Sequence, residues 1–73
     1  MEKFLENFKA QFEETELSQI TGETVFRNIE EWSSLISLSV IAMVDEEYGV
    51  TLKGDEMKRA KTIRDLYDIV ISK

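Results

Sequence analysis

The stretch from Ser34 to Tyr48 is apolar on nearly every side, and this constrains the fold more than any other feature of the chain. At 100° per residue, Ser37, Val40, Ile41, Val44 and Tyr48 fall within about one third of a helical circle, a width that suits a core face. Leu35, Leu38 and Ala42 fall roughly opposite, with Ile36 and Met43 to the side. A helix that is apolar all round is either fully buried or keeps a second face for binding. The chain has 73 residues, and a domain of that size buries only about 60% of its unfolded surface. That is too little to enclose a helix completely, so a second, contact-making face is expected. Gly49 supplies the stop, as a glycine just past the last turn should.

The remaining segments supply what such a helix packs against. Residues 2–14 carry Phe4, Leu5, Phe8 and Phe12 at i, i+1, i+4 and i+8, which predicts a first helix with one apolar face. From Thr15 to Ser33 the pattern breaks, and Gly22 marks a turn. So long a connection needs anchoring. Leu17, Ile20, Val25, Phe26, Ile29 and Trp32 are the anchors expected, with a helical turn over 28–31. After Gly49, the run Val50-Thr51-Leu52 is expected to be extended, with Leu52 in the core. A short third helix is expected from Gly54 to Ala60, with Met57 and Ala60 turned inward. Thr62 and Asp65 form a capping-box pattern for a last helix, where Ile63, Leu66, Tyr67, Val70 and Ile71 make a helical stripe. The expected architecture is all-α, with residues 1–73 forming one small four-helix domain around Phe8, Phe12, Phe26, Val44, Tyr48, Leu66 and Val70.

Charge and composition narrow the function. The net charge is −6, which argues against nucleic acid, because phosphate binding needs a clustered basic face. Residues 1–56 hold 13 acids and 4 bases, a net of −9, and residues 57–73 hold 2 acids and 5 bases, a net of +3. The acidic part would steer the domain toward basic patches on other proteins. Cysteine and histidine are both absent. This removes disulfides, nucleophiles of those types and the usual zinc ligands, and we expect no metal site. No glycine-rich phosphate loop occurs, and Asp45-Glu46-Glu47 lacks the ligand spacing of a calcium loop. Carboxylates without a cleft are a solvated face, so the chain is not expected to be an enzyme. No 18-residue apolar run or signal peptide is present, which points to a cytoplasmic protein without membrane insertion. The start at Met1 and the lack of a linker suggest a free-standing monomer.

Ser33 and Ser34 stand at the head of the apolar helix. Either can cap it, and a helix N-terminus equally favours a phosphate, through unpaired N–H groups and the positive end of the dipole. The run Trp32-Ser33-Ser34-Leu35, followed by Ile41, Val44 and Asp45-Glu46-Glu47-Tyr48-Gly49-Val50, resembles the heart of an acyl carrier protein. The resemblance extends through the first helix, the long loop with Phe26, and Thr62-Ile63 opening the last helix. It implies a carrier-type bundle with a long ordered loop between the first two helices. It also implies that Ser34 carries a covalent 4′-phosphopantetheine arm, fitted by a phosphopantetheinyl transferase. An acyl group would be held on that arm as a thioester for fatty-acid, polyketide or more specialised acyl-transfer enzymes. By the same resemblance, Leu35, Ile36 and Ala42 would contact these enzymes, while Asp45 and Glu46 would pair with Arg or Lys on basic docking patches.

The family usually has Asp-Ser-Leu where this chain has Ser33-Ser34-Leu35. Typical fatty-acid carriers are often acidic at the positions of Ser33, Ile36 and Ser39 as well. The front of the helix is therefore neutral here, as a specialised carrier with dedicated partners would have it. The Gly-Gly-x-Ser-Leu form of peptidyl carriers is absent. The alternative is a non-modified acidic interaction module that binds a protein through the same helix.

Overall fold

A computed structural model describes residues 1–13 and 15–73. The described residues form four α-helices and no strand: α1 (Glu2–Lys9), α2 (Ser34–Tyr48), α3 (Gly54–Arg59) and α4 (Ile63–Ile71). Two 3-10 turns, at Leu17–Gln19 and Phe26–Asn28, punctuate the connection between α1 and α2.

The first helix is shorter than its apolar spacing predicts. It tightens after Lys9, where the Gln11 and Phe12 amides donate to carbonyls only three residues back. The Glu31 carboxylate then takes the Glu13 amide at 2.9 Å, offering the backbone a partner outside the helix. Phe12 still enters the core, carried there by the final turn. Glu14, the last residue of the expected helix, lies outside the described residues.

Helix α2 has the bounds its sequence predicts. Gly49 closes it in the left-handed region, at φ 65°, with its amide on the Asp45 carbonyl. A side chain in that conformation costs about 1 kcal/mol, which is why glycine stands there. Leu52 is buried after the extended exit, and Met57 and Ala60 turn inward from α3. Thr62 caps α4: its hydroxyl accepts the Asp65 amide, while Asp65 Oδ2 accepts the Lys61 and Thr62 amides. Those two bonds, the one from Thr62 first, hold the Asp65 carboxyl below its ordinary value.

The core is one cluster, with Phe4 and Phe8 from α1, Phe26 from the loop, Val40 and Val44 from α2, and Ile63, Leu66 and Val70 from α4. Of the expected loop anchors, Ile20 and Phe26 are buried, and Ile29 and Trp32 are partly buried against the cluster. Leu17 and Val25 are exposed instead. The loop is held there by its backbone: Val25 bridges to Thr62, and the Ile63 and Arg64 amides donate to the Thr24 and Gly22 carbonyls. The 3-10 turn falls at Phe26–Asn28 rather than over 28–31, so that Phe26 points inward. Tyr48 and Tyr67 are partly buried beside Phe4. Ile71 departs from the α4 stripe at 57% exposed, while Val70 beside it takes the inward position in the last turn.

Candidate functional site

The two serines at the head of α2 have separate roles. Ser33 is the cap: its backbone is extended (φ −154°, ψ 174°), and its hydroxyl accepts the Ile36 amide at 3.3 Å. Ser34 is the first helical residue, exposed, and no described residue hydrogen-bonds its hydroxyl. A serine caps a helix about as well as an aspartate. Ser33 therefore does the capping that an aspartate would do, without the charge.

What precedes the serines holds them in place. Trp32 stacks on Phe8, with ring centroids 6.1 Å apart and planes at 6°, and lies 4.8 Å from Phe26 and 6.3 Å from Phe12. Beside it, the Glu31 carboxylate accepts from the Glu13 and Thr15 amides and the Thr15 hydroxyl at 2.7–2.9 Å. Residues 31 and 32 are thus tied to both the loop and the core, so Ser34 is presented from a fixed base. A depression of about 510 Å³ near this clamp is lined by Thr15, Glu16, Glu30 and Glu31. Its three carboxylates make it hostile to any anion.

Along α2, the face opposite the core is open. Leu35 is 73% exposed, Leu38 is 62% exposed, and Ala42 is exposed between them and the acidic end. Ile36 differs: it is half-buried and packs against the core cluster, so it offers a partner only part of its side chain. Asp45 and Glu46 are exposed on the last turn, about 16 Å from Ser34 at 1.5 Å per residue. Neither pairs with a cation among the described residues.

The charge order along α2 runs against its dipole. The first turn holds no acid and the last turn no base, while Asp45, Glu46 and Glu47 crowd the negative end. Each such placement is unfavourable to the isolated helix by a few tenths of a kcal/mol. Stability alone therefore does not account for it. The positive end is left without an anion, and Ser34 stands on it.

Periodicity did not reveal a groove that starts at Ser34. It has a volume of about 470 Å³ and runs between Ser34, Leu38 and Ile41 on one side and Trp32 and Gly54 on the other. A second groove of about 210 Å³ shares Trp32, Ser37 and Gly54 with it, and is closed by Phe26, Arg27, Met57 and Lys58. Residues so far apart in sequence meet only through the fold. Comparisons with protein-family models, curated proteins and solved structures find no match to this chain. Among the described residues no helix is long and apolar enough to cross a membrane.

Proposed function

We propose that this chain is an acyl carrier domain, with α1 to α4 forming a carrier-type bundle and Ser34 bearing a 4′-phosphopantetheine arm. The observation that carries the reading is the division of labour at the head of α2. Ser33 takes the cap, and the Ser34 hydroxyl is left exposed at a helix N-terminus that no acid neutralises. A phosphodiester at Ser34 fits that position, since the first amides and the dipole both favour negative charge. When bound, the arm supplies a thiol that holds an acyl group as a thioester. The chain itself presents the arm and catalyses nothing. Tethering raises the local concentration of the acyl group for each enzyme that docks. Docking uses Leu35 and Ala42, with part of Ile36, and the exposed Asp45 and Glu46 meet Arg or Lys on acyl-transfer or synthase partners.

The test is an intact mass after incubation with coenzyme A and a phosphopantetheinyl transferase. We expect one arm on the wild type and none on Ser34→Ala. Ser33→Ala loses the cap, about 1 kcal/mol, and should still be modified. Ser33→Asp keeps the cap, adds the family's usual charge, and should be modified faster. A wild type left unmodified by several transferases would overturn the reading in favour of a non-modified interaction module.

A further inference from the structure

We propose that the cargo is a short acyl chain ending in a carboxylate, received by Arg27 and Lys58 at the far end of the groove that begins at Ser34. The assignment to cargo rests on the carrier reading; the groove's preference for an anion does not. Several observations converge on it. The two grooves share Trp32, Ser37 and Gly54, so they adjoin and together span the surface from Ser34 to Lys58. A Cβ built on Gly54 would meet nothing within 4 Å, so that surface is open where α3 begins. The walls are apolar near Ser34, at Trp32, Leu38 and Ile41, and again deeper, at Phe26 and Met57.

The charges at the far end decide the chemistry. The chain has 15 acids, yet none lines either groove, and the two charged groups that do are both cations. Arg27 is fixed there: its Nη1 donates to the Met57 carbonyl at 2.9 Å, and its guanidinium carbon lies 5.2 Å from the centre of the Phe26 ring. Among the described residues it has no carboxylate partner, and neither has Lys58. The neighbouring Arg59 and Lys73, by contrast, are both taken up by Glu56. A guanidinium has five N–H donors and meets a carboxylate in a fork. Arg27 and Lys58 are both exposed and served by water, so a hydrocarbon end gains nothing from them, whereas a carboxylate end gains their charged donors. The inner groove is smaller than the roughly 300–1,000 Å³ typical of sites for drug-sized ligands, so the chain it receives is short.

The chain has no cysteine, so Ser34→Cys can be labelled at one place without a transferase. Two thiol-reactive probes with a spacer of pantetheine length would be compared, one ending in a six-carbon carboxylate and the other in the matching alkyl chain. Trp32, the only tryptophan, lines both grooves and reports by its emission. Amide shifts at Gly54, Met57 and Lys58 report independently. The carboxylate probe should shift both signals and the alkyl probe should not. Arg27→Gln with Lys58→Gln, or about 0.5 M salt, should lower the docked fraction about three- to fivefold, while Arg27→Lys keeps most of it. Should Arg27→Gln fail to fold by circular dichroism, Lys58→Gln alone decides. Equal shifts from the two probes, no shift from either, or docking indifferent to the charge substitutions would overturn the proposal. Equal binding of the free, thiol-quenched carboxylate probe at the same concentration would overturn its assignment to tethered cargo. A failed transferase reaction, by contrast, would remove the carrier reading and leave the probe result standing.

Discussion

Phe26 shows how much one side chain does in so small a core. It comes from the connection between α1 and α2, is buried, and meets Phe8 edge-on at 6.1 Å and Trp32 at 4.8 Å. Phe26→Ala should therefore cost about 3–5 kcal/mol, measured by chemical denaturation. A loss under about 1 kcal/mol would show that the loop does not depend on this anchor. The importance of Phe26 is legible in the sequence, since it is the largest of the loop's apolar residues before Trp32. As candidate caps, Ser33 and Ser34 were legible only as a pair. Helix geometry separates them, because a single residue can hold the extended cap conformation and the next must already be helical. The Glu31 clamp was not legible, because its partners are backbone amides 16 and 18 positions earlier that carry no side-chain signature.

At the scale of the elements, α2 and α4 were written plainly in the sequence, each by a cap and a stop or stripe. The end of α1 was not, because apolar spacing continues through Phe12 whether the last turn is α or tighter. The short α3 depends on Glu56. Its carboxylate takes the Lys53 amide and the Lys73 ammonium, each at 2.9 Å, and so ties the start of α3 to Lys73, two residues beyond α4. These bonds, the one from Lys73 first, hold the Glu56 carboxyl below its ordinary value. A carboxylate whose folded value is lowered adds stability that is fully present above the unfolded value, about 4.3. That stability is lost as pH falls through the folded value. Thermal melts across pH 7 to 3 should thus show wild type and Glu56→Gln converging at the acid end, with the wild type higher near neutrality. Parallel curves would show that Glu56 makes no such contribution. A similar but separate acid loss follows from Asp65 at the cap of α4.

The whole molecule separates its charge, with acids in the first 56 residues and surplus bases in the last 17. Asp45 and Glu46, with Glu47, are the part of this pattern that α2 exposes at its end. Reversing the first two to Lys should slow association with a basic partner severalfold at low salt and much less at high salt, measured by stopped flow. Helicity should be kept, since both side chains are exposed and the new charges favour that end of the dipole. Association rates blind to both the reversal and the salt would remove steering from the account. The hydrogen bonds from Ile63 and Arg64 back to Thr24 and Gly22 have a consequence of another kind. They join stretches about forty residues apart, and closing a loop of that length precedes any return from the contact. The start of α4 and the loop therefore order together or not at all. The slow event in folding this chain is then the meeting of the loop with the start of α4 rather than the winding of any one helix. A nascent chain would hold the loop between α1 and α2 unsettled until Ile63 and Arg64 had emerged to meet it.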